Sequence, residues 1–264
     1  MEIKAKKSLG QHFLASKQAL DRIISASSIE PGEEVLEIGP GTGILTAALI
    51  AAGAKVTAVE KDERAAALLN EKLSEDISAG RLKLVQGDVL ETSPMMDGKF
   101  AIVANIPYYI TGAILETFLE RGPRPTRMIL LVQKEVAERI IAADGKESVL
   151  SISVKAFGTP RIAARVPRGA FVPPPKVDSA VISVSSIGDQ RFSDAGLQPD
   201  LFFRAVKAGF AHKRKLLIRN LEAICPKEKL EGMWLELGLD KKARAEDIGV
   251  ETWFDIASKI AAGL

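Results

Sequence analysis

Leu36-Glu37-Ile38-Gly39-Pro40-Gly41-Thr42-Gly43 sets three alternate glycines between an apolar run and a stretch of helical period. A backbone that leaves a strand, turns sharply and enters a helix needs positions without Cβ, both for the turn and for close approach of a ligand. Dinucleotide loops of the G-x-G-x-x-G type place their third glycine one residue further on, and that residue here is Ile44. The register argues against a nicotinamide cofactor and, with it, against an oxidoreductase.

From Glu34 onward, short apolar runs alternate with longer amphipathic stretches, the pattern of a parallel α/β sheet. Strands are expected over 35–38, 55–60, 82–86, 100–104 and 128–133, and helices over 42–51, 63–73, 111–119 and 134–142. Residues 147–157 suit a helix through Val149, Ile152 and Ala156 or an alternating strand, and the helix is preferred. Residues 161–166 and 177–185, parted by the proline-rich Phe171 to Lys176, read as an extended pair that closes the sheet. After Ile187 the polar Gly188-Asp189-Gln190 breaks the pattern and the period becomes helical throughout. Two domains follow, an α/β domain over 1–187 and a small all-helical one over 188–264.

The 264 residues are 47% hydrophobic and 27% charged, which suits a soluble globular protein and excludes a disordered one. No apolar run approaches the roughly 20 residues that span a bilayer. The amino terminus lacks the apolar segment of an export signal, so a cytoplasmic protein without membrane contact is expected. Cys225, His12 and His212 stand far apart, and no metal-ligand spacing is present. No metal is therefore expected, and Cys225 reads as core filler. The net charge of +2 conceals a concentration of cations: Arg204, Lys207, Lys213, Arg214, Lys215 and Arg219 fall in one acid-free segment. Lys215 and Arg219 are expected one helical turn apart on a common face, as on a surface that binds a phosphate backbone. Lys4, Lys6 and Lys7 add a second, terminal group of cations.

Two acids follow the glycine loop at successive strand ends. Glu60 stands where a carboxylate accepts from both hydroxyls of a ribose, and Asp88 where one accepts from the amine of a nucleoside base. Either acid alone is as easily a solvated strand end. Loop and acids together outline an adenosine pocket, and carboxylates tolerate a sulfonium better than a pyrophosphate. The expected cofactor is S-adenosyl-L-methionine, seated against Gly39 and Gly41.

The fourth strand ends in Asn105-Ile106-Pro107-Tyr108-Tyr109. The N6 of adenine is a poor nucleophile because its lone pair is delocalised into the ring, so catalysis requires a site that favours the pyramidal amine. The side-chain oxygen of Asn105 and the carbonyl of Ile106 can each accept one N6 hydrogen, while Pro107 fixes the backbone between them. Tyr108 offers a face for the extruded base. The bland alternative is a strand-ending turn with an ordinary half-buried aromatic.

With these residues the chain resembles the small-subunit ribosomal RNA adenine N6,N6-dimethyltransferase family. The resemblance runs from end to end, through Leu9-Gly10-Gln11-His12-Phe13-Leu14, the glycine loop, Asn105 to Tyr108, Leu131-Val132-Gln133-Lys134-Glu135-Val136 and Phe171-Val172-Pro173-Pro174-Pro175-Lys176-Val177-Asp178-Ser179. Lys213-Arg214-Lys215, Arg219-Asn220-Leu221 and Arg244-Ala245-Glu246 carry it into the helical domain. The macrolide-resistance enzymes acting on large-subunit RNA share the first motifs and resemble the carboxyl-terminal portion less.

The resemblance implies a Rossmann-like S-adenosylmethionine-dependent methyltransferase fold with a small carboxyl-terminal all-helical domain that binds RNA. It implies that His12, Leu14, Gly39, Glu60, Asp88 and Asn105 line the cofactor site. It further implies dimethylation of two adjacent adenosines in a terminal hairpin loop of small-subunit RNA; action late in biogenesis on a pre-assembled particle is expected, and a monomer is expected although the sequence does not fix the oligomeric state. Many relatives carry Asn at the position of His12 and Leu at that of Ile106. Phe171 matches a position beside the target base, where it is either a second stacking face or a core aromatic. An RNA-binding assembly factor that retains the fold without the activity is the alternative from another class.

Overall fold

The computed structural model describes residues 3–6, 9–91, 96 and 98–263. In chain order it runs β1 (Phe13–Leu14), α1 (Lys17–Ser27), β2 (Glu34–Ile38), α2 (Ile44–Ala51), β3 (Lys55–Glu60), α3 (Glu63–Lys72), α4 (Ser74–Ser78), β4 (Leu82–Gln86) and β5 (Ala101–Asn105). There follow α5 (Thr111–Leu115), β6 (Arg127–Gln133), α6 (Lys134–Ile141), α7 (Val149–Phe157), β7 (Thr159–Val166), β8 (Phe171–Val172) and β9 (Ser179–Ser185). The remainder is helical, with α8 (Gln190–Ala195), α9 (Pro199–Gly209), α10 (Leu217–Leu221), α11 (Lys227–Glu236) and α12 (Val250–Ala261). Two compact units result, Met1–Ala137 with Thr159–Ile187, and Glu138–Gly158 with Gly188–Leu264.

The first unit is built on a seven-stranded sheet in the order β4-β3-β2-β5-β6-β9-β7. The five strands from β4 to β6 are parallel, and β9 and β7 close the edge antiparallel. Strands covered on both faces must be apolar at every position rather than at alternate ones. Ala101 to Ala104 and Met128 to Val132 are accordingly buried without a break. Strand order reverses at β2, flanked by β3 on one side and β5 on the other, and this reversal opens a crevice at the carboxyl ends of the strands. Arg127, at the start of β6, donates to both Glu33 oxygens at 2.6 and 2.7 Å and to the carbonyls of Ser27 and Ser28. That fork ties the end of α1 to the entry of β2.

Some local outcomes differ from the sequence pattern. Helix α2 begins at Ile44 because Thr42 and Gly43 are still in the turn. The stretch expected as one helix over 111–119 is α5 followed by a π-helical turn, Glu116–Arg121. Within residues 147–157 the helix forms over Val149–Phe157, and Ser148 with Ser151 supplies its capping box. The pair β1 and β8 was not anticipated; it couples Phe13 to Val172 and Leu14 to Phe171.

The second unit gathers around Phe157, Phe192, Phe202, Phe203 and Phe254, whose rings meet at centroid distances of 4.4 to 6.5 Å. Phe157 draws α7 into this core, so the helical unit takes residues 138–158 in addition to the stretch beginning at 188. Helix α9 packs against α12 through Gly209. A Cβ there would stand 2.3 Å from Trp253 Cη2 and 2.8 Å from Leu217 Cδ1. An indole ring cannot yield as a flexible chain end does. Gly209→Ala should therefore destabilise the protein by about 1–3 kcal/mol, the usual cost of overpacking. A urea midpoint that does not move would show that this contact relaxes freely.

Candidate active site

A cavity of about 300 Å³ opens at the carboxyl ends of the parallel strands. Gly39, Gly41 and Gly43 all hold positive φ, at 66°, 58° and 78°. Their surroundings divide their roles. Gly39 and Gly41 line the cavity; Gly41 lies against the Phe13 ring, which a Cβ would approach to 3.1 Å. At Gly43 a Cβ would come within 2.5 Å of Leu69 on α3, so this glycine serves the turn and helix packing.

Glu60 closes β3 at 5% exposure. One of its oxygens accepts from the Gly41 amide at 2.9 Å and the other from the Asp62 amide at 2.8 Å. The glycine loop and its acid thus hold one another, and a carboxylate with about four acceptor sites keeps capacity for two further donors. Burial raises the Glu60 pKa, against the pull of those amides. Asp62 caps α3 and is gripped by Arg64 and Gln11, and the Arg64 guanidinium holds its carboxyl well below the usual range. Lys6 also reaches Asp62, at 3.7 Å, while Lys7 lies outside the described residues. Lys6 is therefore engaged within the fold.

Asp88 follows β4 and lines the cavity. It accepts from Lys61 Nζ at 2.7 Å and from the Leu90 amide at 3.0 Å, and the Lys61 ammonium lowers its pKa. Lys61 is largely exposed, so this pair is weak and readily exchanged.

Asn105 ends β5. Its Nδ2 donates to the His12 carbonyl at 3.2 Å, which leaves the amide oxygen as the atom available to a ligand. Tyr108 hydrogen-bonds Ser179 Oγ through its hydroxyl at 2.7 Å, and its ring stacks on His12 with centroids 5.9 Å apart. The His12 ring is fixed in turn by Nδ1 on the Pro173 carbonyl at 2.7 Å. Burial raises the Tyr108 pKa, so its hydroxyl stays protonated at neutral pH. His12, Leu14, Gly39, Gly41, Glu60, Asp88, Asn105, Ile106, Pro107 and Tyr108 all line this one cavity.

Phe171 is placed elsewhere. It is 2% exposed, belongs to the hydrophobic core and does not border the cavity. The reading as a second stacking face gives way to the core role.

The basic segment is exposed at all six cations. Arg204 and Lys207 lie on α9 and Arg219 on α10, but Lys213, Arg214 and Lys215 occupy the turn between the helices. Asn220 stabilises that turn by donating to the carbonyls of Gly209 and His212. Lys215 and Arg219 are thus not on one helical face, and Arg219 is paired with Glu222 at 2.8 Å. Among the described residues no group of three or more His, Cys, Asp or Glu is placed to hold a metal, and no helix is long and apolar enough to cross a membrane.

Two site residues escaped the sequence reading. Ser179, which anchors Tyr108, stood at the end of the Phe171 to Ser179 motif. Glu37 stood in the glycine-loop motif without an assigned role. It lines the cavity at 1% exposure, and the Thr46 hydroxyl beside it only partly offsets the cost of burying its charge.

The family described as ribosomal RNA adenine dimethylase matches residues 2–262. The chain belongs to that family. A relative from Dehalococcoides mccartyi (strain CBDB1), named ribosomal RNA small subunit methyltransferase A, is 38% identical over 257 residues, covering 95% of this chain and 87% of its own. Among solved structures, a dimethyladenosine transferase from Plasmodium falciparum is similar at a TM-score of 0.79 and 27% identity, over 93% of this chain and 96% of that one. The 23S rRNA methyltransferase ErmE is similar at 0.76 and 28% identity, over 94% and 99%. The helical unit is therefore no mark that separates the two groups by fold.

The methyl donor of this ribosomal RNA adenine dimethylase is S-adenosyl-L-methionine, and the cavity fits it. Glycine backbone at Gly39 and Gly41 admits a ligand closely, while the carboxyls of Glu37, Glu60 and Asp88 border a space suited to a cationic adenosine derivative.

Burial, with the Glu60 carboxylate nearby, pushes the Glu37 carboxyl up to about 8. Between the ordinary carboxylate range and that value the folded state holds a proton that the unfolded chain releases. Stability of the free protein should accordingly fall as pH rises through this window. Glu37→Gln should flatten the fall in urea titrations across it. An identical slope in both proteins would mean that Glu37 is ionised throughout.

Proposed function

We propose that this chain dimethylates N6 of two adjacent adenosines in a terminal hairpin loop of small-subunit ribosomal RNA, late in the biogenesis of that particle. The observation that carries the reading is the Asn105 amide, held by the His12 carbonyl with its oxygen left for the cavity, beside the half-buried Tyr108 ring. When bound, S-adenosylmethionine supplies an electrophilic methyl group. Gly39, Gly41, His12 and Leu14 would bound its site, Glu60 would accept from the ribose hydroxyls, and Asp88, now paired with Lys61, would accept from the adenine amine.

Tyr108 stacks the target adenine. Asn105 Oδ1 and the Ile106 carbonyl each accept one N6 hydrogen, and Pro107 sets their separation, which favours the pyramidal amine. The amine becomes acidic as it is alkylated, so its proton passes to water without a strong base. Arg204, Lys207, Lys213, Arg214, Lys215 and Arg219 give the helical unit a cationic surface for phosphates. The chain acts as a cytoplasmic monomer on an already assembled small subunit.

The likeness to the 23S enzyme supports a second reading, with large-subunit RNA as substrate. Labelled methyl transfer to undermethylated small-subunit and large-subunit particles in parallel distinguishes them: label in small-subunit particles is expected, and label confined to large-subunit particles favours the second. Asn105→Ala should lower the rate by about 10²-fold or more, as loss of a preorganised transition-state partner does, with particle binding retained. Retained methylation would remove Asn105 from the chemistry.

Binding to small-subunit particles should weaken steeply with salt as neutralised phosphates release counterions. Replacing Lys213, Arg214 and Lys215 by Ala should reduce the slope of log affinity against log salt by about 2–3, close to one for each phosphate no longer neutralised. An unchanged slope would exclude the turn from the RNA interface.

A further inference from the structure

Tyr109 stands apart from its neighbour. Tyr108 is half buried and anchored through Ser179, whereas Tyr109 is 64% exposed. It nonetheless borders the same cavity, at its rim. The turn that carries it is firmly closed: the Ile110 amide donates to the Pro107 carbonyl at 3.1 Å, and Thr111 Oγ1 donates to the Tyr108 carbonyl at 3.1 Å. Backbone also supports the ring. Gly10 holds φ at +59°, and a Cβ there would lie 3.3 Å from Tyr109 Cδ1 and 3.4 Å from Cε1. Any other residue at position 10 would press on the ring, so this left-handed glycine lets the amino-terminal segment pass closely against it.

An isolated aromatic on a protein surface needs no explanation. Tyr109 is distinguished by its rigid carrier, by the glycine that makes room for it, and by its place one residue from the platform for the target base. A wall of the donor pocket would be enclosed, and most of this ring is open to solvent. A strand that surrenders one base to the cavity loses the stack between that base and its neighbour. Single-stranded RNA is commonly held by replacing such stacks with aromatic side chains, one base to a ring.

Resting on the reading of the cavity as the target-adenine site, we propose that Tyr109 forms a second nucleobase subsite outside the mouth, stacking the unpaired purine next to the target. With two adjacent adenosines as substrate, the subsite holds whichever of them is not under reaction. Tyr109 is then a positioning residue for the RNA, without contact to the donor.

The test compares wild type, Tyr109→Ala, Tyr109→Phe and Tyr109→Trp in steady-state methylation of undermethylated small-subunit particles, with S-adenosylmethionine affinity measured separately by calorimetry without RNA. Tyr109→Ala should raise KM for particles about tenfold or more, as loss of one base–aromatic stack does, while the Phe and Trp variants stay within about twofold of wild type. Donor affinity should be the same in all four. An unchanged KM in Tyr109→Ala overturns the proposal. So does a parallel loss of donor affinity, which would make the ring a wall of the donor pocket, or a Phe variant as impaired as the Ala variant, which would assign the effect to the hydroxyl. Failure of the wild-type protein to label small-subunit particles would instead defeat the functional reading, and the subsite with it, before any substitution is compared.

Discussion

The hydrogen bond from Asn105 Nδ2 to the His12 carbonyl joins two parts of the chain that no local pattern connects. Asn105 is delivered by the end of a buried parallel strand, and His12 by an amino-terminal segment with almost no regular structure of its own. That segment is placed by the two-residue pairing of β1 with β8, by the Pro173 carbonyl on the His12 ring, and by Gln11 on Asp62. Each link is modest, since a single neutral hydrogen bond contributes only about 1 kcal/mol net. Their convergence makes the orientation of the amide a property of the whole first unit.

The electrostatics of the cavity are uneven in the same purposeful way. Asp88 and Asp62 are held in the charged form by nearby cations, whereas Glu37 and Glu60 are pushed toward the neutral form by burial. Three carboxyls bordering one cavity would repel each other if all were fully ionised and dry. Spreading their pKa values lets the protein fold without a ligand cation and still present acceptors to one. The Glu60 carboxylate, gripped by the Gly41 amide, couples this charge pattern to the shape of the glycine loop.

Much of the first unit was legible because its constraints are local or periodic. Strands covered on both faces must read as apolar runs, and β3 and β4 fall where the pattern put them, with β2, β5 and β6 shifted by one residue at one or both ends. The glycine loop announced its turn, and Ser148 decided the ambiguous helix through a cap that the sequence contains but periodicity ignores. What escaped depends on partners distant in sequence. Phe171 is a core residue on a short strand whose partner, β1, is distant in sequence, and α7 joins the helical unit because Phe157 meets Phe192 and Phe203. Lys215 leaves the expected helical face because Asn220 closes a turn beneath it. The burial of Glu37 is a three-dimensional fact altogether: a carboxyl in a sequence motif looks the same whether it ends up buried or solvated.

The identity of residue 105 follows from these surroundings. The position requires an acceptor toward the cavity and, on the same side chain, a donor toward the His12 carbonyl. Aspartate supplies two acceptors when ionised and would face that carbonyl with like partial charge, while adding another negative group to a cavity already bordered by three carboxyls. A protonated aspartate could donate to His12, but only by keeping a proton that water would compete for as the cavity opens to substrate. Glutamine has the right groups on a longer, less constrained stem, at a greater entropic cost of fixing it. Asparagine alone offers both functions, at this reach, with no dependence on pH.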